Sequence, residues 1–215
     1  MSTNFMRTGT KKEKAPRGRP RSYEADEVLE RVRAVFMAKG FSAASLDDLA
    51  AAAKLNRPSL YAAFGDKEQL YLHTLNRYGM QSVAAMETIF ARKVPLEQRL
   101  GQVYRAAIGL YTAPPTSPGC MIVNTAAVEA PTHPKIAAAA RKLLAEIEAA
   151  FERAFECAVA EKEIAAAPTP ATRARLAGGI FDTLAVRARL GANAGELKSF
   201  ALSMIPALCG DARGG

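Results

Sequence analysis

The sequence predicts an all-α protein, and three observations carry that prediction. Apolar residues recur at i, i+3 and i+4 in segment after segment, Ser, Thr, Asp or Asn stands at most of the segment starts, and no stretch keeps a two-residue strand period for long. Of 215 residues, 49% are hydrophobic, with no Trp and only 7% aromatic, a balance suited to Ala/Leu-rich helices. A chain of this length buries a full core as one large domain or two small ones.

The elements follow in order. Met1 to about Ser22 is polar and cationic, and Pro16, Gly18 and Pro20 interrupt any period, so it reads as a flexible arm. From Tyr23, the residues Val28, Leu29, Val32, Val35 and Phe36 recur at helical spacing until Lys39-Gly40, a last-turn cation followed by a terminating Gly. Ser45 then caps a short helix, Asp48 completes an approximate capping box, and Asp47 and Asp48 sit where the helix dipole favours acids. Leu46, Leu49 and Ala53 form its inner face. After Lys54-Leu55, Asn56 caps a third helix with Pro58 in its first turn, running from about Arg57 to Phe64 and ended by Gly65.

Asp66 starts a longer helix that reaches about Ala91, and Pro95 opens another through Leu96, Leu100, Val103, Ala107 and Leu110. Residues 113–119 form a loop by Pro and Gly content. Cys120 to Glu129 is predicted as a short apolar helix, and Pro131 to Pro134 as a turn in which His133 acts as a cap. A long amphipathic stripe from Ile136 to Ala158 follows. Thr169-Pro170 begins a helix to about Leu190 in which Gly178-Gly179 permits close helix approach, suggesting a seam between subunits. Asn193 caps the last helix, which Pro206 is expected to bend or end.

Composition excludes several functions. No run approaches the ~18 uninterrupted apolar residues of a membrane helix, so no membrane partner is expected. The amino terminus lacks the apolar core of a secretory signal. Three widely spaced Cys do not suggest a disulfide framework, which points to a reducing cytoplasm. His73 and His133 are the only imidazoles and have no neighbours at metal-ligand spacing, so neither a metal nor a cofactor is expected. With no catalytic constellation and no Gly-rich phosphate loop, the chain reads as a non-enzyme. The net charge of +8 is uneven: residues 1–21 hold seven Lys or Arg against one Glu, which suggests an anionic polymer as partner.

Two short helices joined by a few residues, within twenty residues, have the spacing of a helix-turn-helix. Ala50 to Ala53 allow the helices a close approach, and Leu49, Leu60 and Phe64 close a core beneath them. Arg57, Ser59, Tyr61 and Ala62 then fall on the outer face of the second helix. Residues 22–78 resemble the DNA-binding domain of the TetR family of repressors. The most specific piece is Leu60-Tyr61-x-x-Phe64-Gly65-x-Lys67-Glu68-x-Leu70. The resemblance implies a basic arm over 1–21, a three-helix helix-turn-helix DNA-binding domain over 22–68, and a C-terminal helical bundle for ligand binding and dimerisation over 69–215. It implies a cytoplasmic homodimer that binds a palindromic double-stranded DNA operator and responds to a small-molecule inducer of unknown identity.

Carried onto this sequence, the resemblance puts Ser45 and Lys67 on phosphates and the Tyr61 hydroxyl on another, while Arg57, Pro58, Ser59 and Ala62 face base edges. Phosphate contacts position and base contacts specify, and the forked donors of Arg57 match guanine in the major groove. Arg17, Arg19 and Arg21 of the arm would reach a phosphate or the adjacent minor groove. Two positions depart from the family pattern. Lys54 stands where a turn Gly is usual, and a left-handed Lys costs roughly 1 kcal/mol. Ala62-Ala63 replaces a bulkier pair, so readout is expected to lean on thymine methyls or DNA shape.

Cys120, at a loop-to-helix junction, is a candidate oxidant or electrophile sensor, since a helix N-terminus lowers a thiol pKa; the alternative is a small buried hydrophobe. Tyr104, Tyr111, Met121 and Phe151 belong to an aromatic and Met-bearing stripe that is first of all core, and are candidates for the ligand pocket. Rival readings are a thiol-sensing repressor, a helical enzyme and a helical scaffold.

Overall fold

The structure, a computed structural model, describes residues 21–113 and 119–210. Nine α-helices stand in these residues: α1 (Arg21–Ala43), α2 (Leu46–Ala53), α3 (Arg57–Phe64), α4 (Lys67–Phe90), α5 (Leu96–Tyr111), α6 (Ala127–Glu129), α7 (Pro134–Ala160), α8 (Pro170–Arg189) and α9 (Ala194–Cys209). A π-helical turn, Ile122–Ala126, leads into α6. No strand occurs among the described residues, and none of the helices is long and apolar enough to cross a membrane.

Local chemistry sets most of these boundaries. The Ser45 hydroxyl accepts from the Asp48 N–H, and the Asp48 carboxylate accepts from the Ser45 N–H, a full capping box at the start of α2. Asn56, Asp66, Thr169 and Asn193 cap α3, α4, α8 and α9 with their side chains. Gly40, at φ 79°, breaks α1 so that Phe41–Ala43 leave at an angle toward α2.

Two sequence expectations need correction, and a third is narrowed. The Cys120–Glu129 segment is a π-turn with a three-residue α-helix rather than a simple helix, because its side chains are drawn to α4. The Tyr71 hydroxyl meets the Thr125 hydroxyl at 2.6 Å, and Thr125 in turn donates to the Met121 carbonyl. The His133 ring gives α7 no cap; it turns to the Thr132 hydroxyl and the Glu129 carboxylate instead. Pro206 does not end α9, which runs three residues further to Cys209.

The core is one continuous body. Val32, Phe36 and Met37 of α1 pack with Leu49 and Ala53 of α2, with Leu60 and Phe64 of α3, and with Leu70, Tyr71 and Leu75 of α4. Phe36 and Phe41 meet the Tyr71 ring edge-on at 4.9 and 5.2 Å. Behind them α7 lies against α8 and α4, and α5 against α9 and α8. Leu143 of α7 packs so closely on α4 that a Cβ at Gly79 has no room. Tyr104, Phe151, Phe181 and Tyr111 form an aromatic cluster at the centre of this bundle. Between α7 and α8, buried Arg173 donates to the carbonyls of Ala165 and Ala167, which ties down the connecting segment.

Candidate nucleic-acid interface

The outer face of α3 is the most exposed helical surface near the amino terminus. Leu60 and Phe64 turn inward and are buried, while Arg57, Pro58, Ser59, Tyr61, Ala62 and Ala63 are exposed. Tyr61 is 41% exposed, which leaves its ring and hydroxyl available on this face. The pose of α3 is set by the turn before it. Lys54 sits in the left-handed region at φ 56°, ψ 38°, with Leu55 N–H donating to Ala50 C=O and Lys54 N–H to Ala51 C=O, both at 3.1 Å. That pair of bonds is the Schellman closure, made here with a lysine where glycine is usual.

Around this helix the charges are paired. The Arg57 Nε donates to Asp47 Oδ1 at 2.7 Å, and its Nη2 pairs with Asp47 Oδ2. Lys39 pairs with Asp48 at 2.7 Å. The Lys39 ammonium, then the Ser45 hydroxyl and N–H, hold the Asp48 carboxyl down at about 2. Ser45 therefore serves as an N-cap, and it is exposed. Lys67, at the start of α4, folds over the α1–α2 turn. Its Nζ donates to the Ser42 carbonyl at 3.1 Å and lies 4.8 Å from the centre of the Phe41 ring. Partial burial lowers its pKa, with the Glu129 carboxylate opposing that shift. Of the arm residues, Arg21 is the first residue of α1, and Arg17 and Arg19 lie outside the described residues.

A second set of contacts joins this surface to the bundle, and sequence reasoning missed it. Glu129 of α6 accepts from the Ser42 N–H at 3.0 Å and from the Ser42 hydroxyl at 2.7 Å. The His133 ring stacks edge-on against Phe41 at 4.8 Å. Ser42 and Glu129 are 87 residues apart in the chain, and no local pattern announces either contact. Asp47 was legible only as a first-turn acid; its pairing with Arg57 depends on the angle between α2 and α3.

Within the bundle, an apolar cleft between α4, α5 and α8 has an empty volume of about 420 Å³, part of it open to solvent. Tyr78, Met86, Val103, Tyr111 and Phe181 line it. Of the residues the sequence nominated for a ligand, Tyr111 borders this cleft. Tyr104, Met121 and Phe151 are fully buried in the core behind it. Cys120 is buried too, hydrogen-bonded with the Tyr78 and Tyr111 hydroxyls, and burial pushes its thiol up. The lowering expected from a helix start is outweighed by desolvation. Cys209 is likewise pushed up by burial, to about 11, and Cys157 is the exposed thiol. Gly178 packs on Glu148 of α7, while Gly179 faces open space. Among the described residues no cluster of His, Cys, Asp or Glu is grouped to hold a metal ion.

Comparison with known proteins places both halves of the chain. Residues 28–74 match the family model described as bacterial regulatory proteins, tetR family. Residues 97–204 match the tetracyclin repressor-like C-terminal domain. The HTH-type transcriptional repressor ComR of Escherichia coli (strain K12) is 32% identical over 125 residues, which is 58% of this chain and 60% of ComR. The HTH-type transcriptional repressor BdcR of the same organism is 32% identical over 115 residues, 54% of this chain and 58% of BdcR. The matched stretches thus span somewhat under two thirds of these curated relatives. Among solved structures, a cysteine mutant of the TetR family regulator CifR, complexed with 26-bp double-strand operator DNA, superposes with a TM-score of 0.79 at 25% identity. It covers 88% of this chain and 99% of that one. The reduced form of E. coli NemR shares the fold, with a TM-score of 0.77 at 16% identity over 89% of this chain and 100% of that one. The helix-turn-helix in front and the bundle behind are each matched by the corresponding family model, and the chain belongs to the TetR family of bacterial regulatory proteins.

Proposed function

We propose that this protein is a ligand-responsive transcriptional repressor that acts as a homodimer on a palindromic DNA operator, in the cytoplasm and without enzymatic activity. The observation that carries the reading is the exposed face of α3, with Arg57, Ser59 and Tyr61 outward on a buried Leu60–Phe64 base. A helix so presented fits the major groove, and two copies related by a two-fold axis fit successive grooves. ComR and BdcR are named repressors, and the CifR structure holds operator DNA.

In this reading Ser45, Tyr61 and Lys67 hold phosphates, and Arg57, Pro58, Ser59 and Ala62 face the bases, with Arg17, Arg19 and Arg21 reaching alongside. Lys67 exchanges the Ser42 carbonyl for a phosphate when DNA arrives. The division into an arm over 1–21, a DNA-binding domain over 22–68 and a regulatory domain over 69–215 follows the same reading. The dimer is supported by apolar side chains left on the surface of α8 and α9, among them Leu176, Val186, Leu202 and Met204. The inducer occupies the cleft bordered by Tyr78 and Tyr111. It acts on DNA through Glu129, whose grip on Ser42 ties the bundle to the end of α1, just before α2. A ligand shifts the protein only through its different affinities for the two arrangements. The thiol-sensing alternative has less support, because a buried thiol with a raised pKa is a poor nucleophile.

The test is a comparison of two variants on an operator selected from random-sequence duplexes. Arg57→Ala is expected to relax sequence preference, a loss of about 1–3 kcal/mol of discrimination at one base pair. Lys67→Ala is expected to weaken binding to every duplex and to flatten the salt dependence by about one phosphate. Equal loss of specificity from both variants overturns the assignment of the two faces.

A further inference from the structure

We infer that Asp47 is a specificity-determining residue of the DNA-binding surface, holding the Arg57 guanidinium in a two-point ion pair that only a two-point acceptor on DNA replaces. The inference rests on the reading of α3 as the base-facing helix. Its basis is geometric. Nε and Nη2 of Arg57 meet the two oxygens of one carboxylate, so this edge of the guanidinium is already engaged, and a base read through it must displace Asp47. The partner comes from the neighbouring helix, ten residues back in the chain.

The capping of α2 does not explain Asp47. That duty belongs to Asp48, which takes the Ser45 N–H, the Ser45 hydroxyl and the Lys39 ammonium. Asp47 reaches instead across the turn to α3, and both members of the pair are largely exposed, 53% for Arg57 and 74% for Asp47. In water such a pair is weak, so DNA can displace it. Its effect is to set a threshold. Guanine offers N7 and O6 at the spacing of the guanidinium fork, and replaces both bonds at once. A mismatched base edge with one acceptor replaces one bond only, and leaves the Asp47 carboxylate partly uncompensated beside the DNA backbone. Arg57 is thereby withheld from a mismatched base edge and released to a matching one. Asp47 is a positioning residue here, since it acts through Arg57.

The experiment measures the affinity of the full-length protein for two duplexes at fixed salt, by fluorescence anisotropy. One duplex is the operator selected by the wild-type protein from a random pool, and the other is its scrambled sequence. Asp47→Asn is expected to raise affinity for the scrambled duplex about threefold, the scale of an exposed ion pair, while the operator gains less. The specificity ratio falls accordingly, and Asp47→Ala reproduces the result without a side-chain amide. In an Arg57→Ala background, Asp47→Asn is expected to leave the ratio unchanged, because its route is gone. Equal gains on both duplexes, persisting without Arg57, mean that Asp47 merely repels phosphate and overturn the inference. No change in the ratio from Asp47→Asn, while Arg57→Ala alone reduces it, overturns the inference and spares the reading of α3. An Arg57→Ala protein with undiminished specificity overturns both.

Discussion

Lys54 shows how much a single residue decides. Its left-handed backbone closes α2 and aims α3, yet a lysine there forgoes the freedom that glycine has. Lys54→Gly is expected to raise stability by about 1 kcal/mol, a gain of roughly 2–4 °C in Tm, seen by thermal circular dichroism. A lowered Tm means that the lysine side chain contributes more than its backbone costs. Asp48 makes a different prediction. Its folded pKa of about 2 lies below its ordinary 3.8, so it contributes stability that is present above about pH 4 and lost as pH falls toward 2. The urea midpoint should therefore fall across that window, and less steeply in Asp48→Asn, where no carboxyl remains to titrate. At this scale the caps were legible, because Ser45, Asn56 and Asp66 each bond to the third residue beyond. His133 was not, because its ring found Glu129 and Phe41 in space rather than a free helix N–H. The left-handed turn was legible only as a condition: a missing glycine signals strain if, and only if, the backbone turns there.

Among the elements, the helices with strong caps and long apolar stripes could be placed from sequence, since both signals are local. The segment from Cys120 to Glu129 could not. Its apolar composition suits an α-helix, but the bond between Thr125 and Tyr71 belongs to a π-turn against α4. Such turns are short and frequent at functional sites, and this one delivers Glu129 to the far end of α1. Glu129→Ala leaves the Ser42 N–H and hydroxyl without their acceptor. The expected cost is about 1–2 kcal/mol, with faster hydrogen exchange of the Ser42 amide and of the first turn of α2. Glu129→Gln keeps an acceptor and should lose less. Unchanged exchange in the alanine variant means that α6 does not hold the α1–α2 turn, and removes the mechanical link proposed between cleft and DNA.

At the scale of the whole molecule, the all-α architecture and the helix-turn-helix were legible because they rest on periodicity and on a run of residue types from Leu60 to Leu70. The bundle was legible only as a bundle. Which of its aromatics border a cleft depends on how five helices stack, so Tyr111 emerges at the cleft while Tyr104 and Phe151 stay in the core. The charge of the chain, +8 with an arm-weighted excess, argues for an anionic partner but does not say which surface meets it. The surface is what the central claim concerns: two copies of α3 in successive major grooves. Guanine N7 methylation interference on a duplex selected from a random pool tests it most directly. The expected result is two clusters of interfering guanines, related by a two-fold axis and centred about 10 base pairs apart or a multiple of that. Interference that is absent from the major groove, or spread along the duplex without such spacing, contradicts it.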